Sequence, residues 1–201
     1  MLKEVRESLY IKEDKTKLSI LLNVLIVLVI AVLVAEIYFL ANYSGVYVDG
    51  DSMEPTLIDG DYVYIDKHAK PDYGDIVVIY IDSENKYLIK RAVAFGGDRV
   101  KLVEGQLLIR YRGKTDFEPV PEDYLSDDYN NKNLPYNTFA NDEFGYLVQE
   151  GHVFLLGDNR DISHDSRKLE SQPLKNLDGV VTKWSLKHKS FCTKIYKFFN
   201  F

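Results

Sequence analysis

The chain has a single cysteine, Cys192, among its 201 residues, so no intramolecular disulfide can form, and neither a CxxC motif nor a Cys/His cluster of zinc-ligand spacing is present. Stability must come from packing, and no metal or other cofactor is expected. Basic residues are also in deficit, with 25 Lys+Arg against 31 Asp+Glu giving a net charge of −6 and a pI near 5.3. Nucleic-acid binders need the opposite balance to neutralise phosphates, and that class is set aside. There is no internal repeat and no long amphipathic helical stretch between the β-like runs of the chain. Apolar residues at 46 %, charged residues at 28 % and a mean hydropathy of −0.21 argue against a disordered, collagen-like or multispanning chain. The length suits one domain with a possible appendage.

The average conceals a segregation. Leu18 to Ala35 reads LSILLNVLIVLVIAVLVA without a charge, and after Glu36 the apolar character resumes to Ala41. Eighteen to twenty-four residues at about 1.5 Å each span a hydrocarbon core of roughly 30 Å. A buried core helix would not be apolar on every face, and the apolar region of a cleaved signal peptide runs to only about 7–15 residues. Asn42-Tyr43-Ser44-Gly45 imitates a cleavage site, but the run before it is too long, so residues 18–41 are expected to be a retained transmembrane helix. Residues 1–17 hold Lys3, Arg6, Lys12, Lys15 and Lys17, and the next basic residue is Lys67. The positive-inside rule then makes 1–17 a cytoplasmic tail and puts the rest outside the cell, at the plasma membrane. Residues 1–41 balance five basic against five acidic residues, so the outer part carries the whole net charge.

Beyond the anchor the period becomes that of strands. Runs at 46–48, 61–65, 76–81, 87–94, 99–102 and 106–109 are separated by the turn signals Asp59-Gly60, Gly74-Asp75, Gly96-Gly97-Asp98 and Glu104-Gly105. The pattern predicts a mainly β fold, an extracytoplasmic antiparallel β domain over 42–185, rather than βαβ units. Residues 111–146 break the rhythm, with eight acidic and three basic residues, and read as an inserted lobe or long loop. Strand character returns at 152–156 and 179–184, and 186–201 form a basic-aromatic C-terminal tail.

Three segments carry chemistry. Gly50 to Leu57 (GDSMEPTL) puts Ser52 about ten residues past the anchor, where the bland reading is a turn serine. Lys90-Arg91 lies in an apolar strand pattern, with Lys90 on the Leu88 face. If that face is buried, desolvation lowers the amine pKa and makes it a base for Ser52; if Lys90 sits on an edge strand, it is a guard against aggregation. Gly157 to Arg167 (GDNRDISHDSR) packs two Arg, three Asp and two Ser behind an apolar strand, either a solvated loop or a buried ion-pair network.

Together the three segments, with Gly97-Asp98 and the single anchor, resemble the boxes of type I signal peptidases, in the single-anchor form common in Gram-positive bacteria. The resemblance implies a Ser/Lys-dyad serine endopeptidase, with Ser52 as nucleophile and Lys90 as general base. It further implies Met53 packing beside the nucleophile, Ser163 hydrogen-bonding the lysine amine, and Asp158, Asp165 and Arg167 holding the site together. The resemblance also implies the Ser52 backbone N–H as an oxyanion donor. A Gram-negative relative carries a serine two residues before the nucleophile; Gly50 stands there, leaving the second donor open. His164 superficially completes a Ser/His/Asp set, but the family varies that position, and no role is assigned to it.

A nucleophile tethered this close to the outer leaflet meets exported preproteins at the ends of their signal peptides. The resemblance implies cleavage after small residues, with membrane lipid and the secretion translocase as further partners. For 186–201 two readings stay open: a helix lying on the membrane surface, or one packed on the β core. The alternative from another class is a non-catalytic or specialised surface-protein or fibre assembly factor on the same scaffold, with 111–146 as its binding face.

Overall fold

The structure, a computed structural model, describes residues 2–103, 106–125 and 144–200. It divides into two compact units, Met1–Asn42 and Tyr43–Phe201. The first is a single helix, α1 (Leu2–Asn42). Its Thr16–Asn42 portion, about 40 Å long at 1.5 Å per residue, is long and apolar enough to cross a membrane. Leu21, Val24, Val27 and Ile30 are exposed, as are the large apolar residues on its other faces from Leu18 to Tyr38, so it is not the core helix of a soluble domain.

The second unit is built on antiparallel β-structure. A seven-stranded sheet runs in the order β1-β2-β11-β3-β4-β9-β10, with β1 Tyr43–Tyr47, β2 Tyr62–Asp66, β3 Ile76–Ile81, β4 Lys86–Phe95, β9 His152–Leu156, β10 Gln172–Pro173 and β11 Leu177–Val181. A second sheet, β7-β6-β5-β8, comprises β5 Arg99–Val103, β6 Gln106–Arg110, β7 Glu118–Pro119 and β8 Tyr146–Leu147. Both faces of the larger sheet are covered, which explains the unbroken apolar run of β3. On one side Ile76, Val78, Val63 and Ile65 pack with Val48, Met53 and Leu57; on the other Val77, Ile79 and Ala92 pack with Val153 and Leu155. A further cluster, including Val93, Phe154, Val100 and Ile109, joins the two sheets.

Two strand expectations shift at their ends. Of the run at 46–48, Val46 and Tyr47 belong to β1, which starts at Tyr43, takes in the Tyr43-Ser44-Gly45 sequence that imitates a cleavage site and ends before Val48. After the one-turn α2 (Ser166–Leu169), the run at 179–184 stops as a strand at Val181, because Thr182 Oγ1 accepts the Ser185 N–H and caps a helix, α3 (Lys183–Lys187). That helix crosses the 185/186 boundary read from composition and leads into α4 (Lys189–Phe199). Of the 111–146 stretch, the described ends supply β7, paired with β6, and the first residue of β8, paired with β5. Residues 126–143 and the Glu104-Gly105 turn signal lie outside the described residues.

Candidate active site

The nucleophile candidate sits in a tight turn pinned at both sides. Met53 and Leu57 are fully buried against β2 and β3, and the Leu57 N–H donates to Met53 O at 2.9 Å. Ser52 lies half-buried at the lip of that turn. Gly50 precedes it with φ +87°, a left-handed conformation that side chains rarely adopt, and its N–H is committed to Asp59 Oδ1 at 2.9 Å. The Ser52 N–H donates to no group among the described residues.

Lys90 comes from β4, paired with β3 and one residue before β9 joins the strand at Arg91, and only 3 % of its surface is exposed. It is not an exposed edge charge. Its Nζ donates to Ser52 Oγ at 2.7 Å and to Ile89 O at 2.8 Å. Burial strips water from the ammonium and lowers its pKa from the ordinary 10.5 to about 8, against the opposing pull of Asp165.

The loop after β9 supplies buried charge. Asp158 accepts a fork from Arg91, Nε to Oδ1 at 2.8 Å and Nη2 to Oδ2 at 2.5 Å, and also accepts Thr56 Oγ1 at 2.5 Å. Arg91 further donates to Gly74 O at 2.7 Å and stacks 3.8 Å from the centre of the Tyr124 ring. The next residue, Asn159, donates its N–H to Ser52 O at 3.1 Å. Asp165 takes Arg167 Nε at 2.8 Å, Arg167 Nη2 at 2.8 Å and the Gly157 N–H at 2.9 Å. Burial would raise its pKa, but the Arg167 guanidinium outweighs that and holds it below the usual value. This loop is a buried ion-pair network, not a solvated one.

Ser163 is brought into the same place, where its hydroxyl makes no hydrogen bond of ordinary length and angle among the described residues, to Lys90 or any other group. Asp165 lies close enough to feel its dipole. His164, by contrast, turns away to Glu84 in the β3–β4 connection, where its Nε2 contacts the Glu84 carboxylate.

Several contributors escape a reading of the sequence. A Cβ on Gly157 would stand 2.1 Å from Ser163 Oγ and 2.5 Å from Ser52 O, so only glycine lets the 157–163 loop meet the Ser52 turn. Arg160 is fully buried, donating to Gly157 O at 2.9 Å and pairing with Glu122, beside Tyr124. The polar 111–146 stretch thus reaches the site through its described N-terminal end. The only sequence signal was the excess of Arg and Asp after β9. The described residues contain no group of three or more His, Cys, Asp or Glu able to hold a metal.

A model of the family "Signal peptidase, peptidase S26" matches residues 20–185 of this chain. Signal peptidase I of Streptococcus pneumoniae TIGR4 is 34 % identical over 163 residues, 68 % of this chain and 79 % of that one. The chain belongs to the signal peptidase family. Signal peptidase I U of Bacillus subtilis 168 is 30 % identical over 179 residues, covering 87 % of this chain and 89 % of that one. A crystal structure of a signal peptidase I from Enterococcus faecalis V583 shares 26 % identity, with 57 % of this chain and 98 % of that chain covered at a TM-score of 0.44. Family membership and the apolar α1 together make this a membrane-anchored serine endopeptidase. The family match contains Ser52, Lys90 and the 157–167 loop, and ends before α4.

Proposed function

We propose that this membrane-bound serine endopeptidase removes N-terminal signal peptides from exported preproteins with Ser52 as nucleophile and Lys90 as general base. The observation that carries the reading is the 2.7 Å contact between Lys90 Nζ and Ser52 Oγ, around an amine whose pKa is lowered to about 8. At pH 7 that raises the neutral fraction from about 0.03 % to about 9 %, a gain of roughly 300-fold. On losing its proton the amine keeps one N–H on Ile89 O and turns its lone pair to the Ser52 hydroxyl, reversing the existing hydrogen bond. Oγ then attacks the scissile carbonyl as its proton passes to Nζ. The oxyanion meets the unoccupied Ser52 N–H. Nζ returns the proton to the departing amine, leaving an acyl-Ser52 ester, and a water activated by the same amine hydrolyses it.

The other assignments follow from what each side chain touches. Met53 seats the nucleophile turn, Asp158 ties it to Arg91, and Asp165 with Arg167 shapes the loop that brings Ser163 beside the dyad. Lys86–Lys90 pairs with β3 on one side, and among the described residues no strand pairs with it on the other. An extended peptide can add there with its scissile bond beside Lys90. We assign 1–17 to the cytoplasm, 18–41 to the membrane and the domain from 42 on to the cell exterior, on the excess of basic residues before the anchor. Membrane lipid and the secretion translocase are the further partners inferred.

The test is cleavage of a preprotein by the purified full chain in liposomes, read by mass spectrometry of the new N-termini. One cut, with small residues at the first and third positions before it, is the expected result. Intact preprotein that co-purifies with the chain would favour an assembly factor instead. His164→Ala is expected to keep kcat/KM within about three-fold of the wild type, since its partner is Glu84 and not the dyad; a hundred-fold loss would bring the histidine back into the chemistry.

A further inference from the structure

The last helix has two opposed faces, and only one is used by the fold. Cys192, Thr193 and Tyr196 turn inward: Thr193 Oγ1 accepts the Tyr62 N–H at 2.8 Å, and the Tyr196 ring stacks on Tyr62 at 4.1 Å. Lys189 anchors the start of the helix by donating to Asp61 Oδ2 at 2.8 Å. The helix thereby covers the edge of β2 beyond the point where β11 ends.

The opposite face carries Phe191, Ile195, Phe198 and Phe199, spaced i, i+4, i+7 and i+8, which is one apolar stripe on a helix of 3.6 residues per turn. All four are exposed, Phe198 to 75 % and Phe199 to 76 %. A soluble surface has no reason to gather three phenylalanines and an isoleucine in this way. The charge beside them is of one sign: after Asp178 the chain has five lysines and no acidic residue, although the protein as a whole is acidic. Lys183, Lys187, Lys194 and Lys197 are exposed. Large apolar residues on one face, with lysines at its margin, are the composition of a helix lying in a bilayer interface.

We infer that α4 is a second membrane contact, lying in the interface of an anionic phospholipid bilayer with Phe191, Ile195, Phe198 and Phe199 inserted and Lys194 and Lys197 at the headgroups. The inference rests on the membrane-anchored reading. Because α1 already holds the domain at the bilayer, effective concentration is high and a contact too weak to recruit a free protein suffices to seat the domain. Its lysines suit an anionic surface, which attracts each basic residue near it. Neither the sequence family match nor the Ser52–Lys90 site includes this helix.

The single tryptophan, Trp184, makes a clean test possible. The full chain carrying Trp184→Phe and Phe198→Trp is reconstituted in vesicles of phosphatidylcholine with phosphatidylglycerol, with or without brominated acyl chains. Flotation with the vesicles reports α1, and quenching of the new tryptophan reports α4. The expected result is a blue-shifted emission quenched by half or more by brominated lipid, with weaker quenching in pure phosphatidylcholine and in the further variant Lys194→Glu with Lys197→Glu. A chain that floats but keeps the unquenched emission of a water-exposed indole overturns the inference while leaving the anchor intact. So does emission that shifts only as the protein-to-lipid ratio rises, because a second copy would then be covering the stripe. A chain that does not float overturns both readings. Circular dichroism and preprotein cleavage by each variant establish that the fold is kept.

Discussion

Lys90→Ala is expected to lower kcat/KM for preprotein cleavage by at least about 10³-fold, and Ser52→Ala by as much or more, with the double variant little worse than either alone. The non-additivity follows from the single 2.7 Å contact that joins them: without the base the hydroxyl is not activated, and without the hydroxyl the base has nothing to deprotonate. Retention of full activity by Lys90→Ala would end the dyad reading. The pH profile carries an independent signature. The working form is the neutral amine, so kcat/KM should rise about ten-fold per pH unit below the lysine pKa of about 8 and level off above it. Stability moves in the same direction. The folded pKa lies below its ordinary 10.5, so between about 8 and 10.5 the unfolded chain holds the extra proton and folding becomes more favourable as pH rises. Below about 8 the folded state bears the whole desolvation cost, about 3 kcal/mol at 1.36 kcal/mol per pKa unit. Lys90→Met removes that cost and loses the two hydrogen bonds, together about 2 kcal/mol. At pH 7 it should therefore be inactive yet unfold at the wild-type temperature or a few degrees above it, an advantage that disappears toward pH 10. Inactivity with a sharply lowered Tm would instead mean that the lysine holds the fold.

The alternating and apolar runs located most of the strands because burial of sheet faces imposes a period of two that survives in the residues themselves. Ile76–Ile81 shows the other limit, covered on both faces and therefore apolar throughout without alternation. Strand ends were less legible, since they depend on single hydrogen bonds such as the one from Ser185 N–H to Thr182 Oγ1 that turns the chain into α3. The candidate site divides in the same way. A buried lysine could be suspected from its apolar neighbours, but whether β4 was an edge strand depended on its second partner, β9, which lies far along the chain and pairs with β4 from Arg91 on. Glu122 and Tyr124 were invisible for the same reason: nothing near them in sequence tells that they close over Arg160 and Arg91. The composition of the C-terminal tail suits both a membrane-surface helix and one packed on the β core, and the geometry makes the two compatible, because the faces of α4 are differently employed.

Asp158→Ala is expected to be the most destabilising single change in the site, lowering Tm by about 10 °C. The Arg91 side chain it leaves behind is only 9 % exposed. Its remaining partners among the described residues are Gly74 O, a weak 3.4 Å approach to Thr56 Oγ1 and the Tyr124 ring, none of which carries a negative charge. Removing one partner of a buried pair costs about 3–5 kcal/mol, a large share of the 5–15 kcal/mol that holds a typical domain together. At roughly 2–4 °C per kcal/mol for a domain of this size the shift is easily measured by thermal unfolding in detergent. Activity should fall even where the variant is folded, because Thr56 loses its acceptor four residues after Ser52, and the Asn159 N–H that holds Ser52 O is on the neighbouring residue. Asp158→Asn, which keeps an acceptor for Arg91 without the charge, should fall between wild type and alanine. Replacing both partners, Arg91→Met with Asp158→Leu, removes the stranded charge and should recover much of the Tm without recovering cleavage. A Tm loss below about 2 °C in Asp158→Ala would mean that water reaches Arg91 and that the pair is not a structural tie between the nucleophile turn and the sheet.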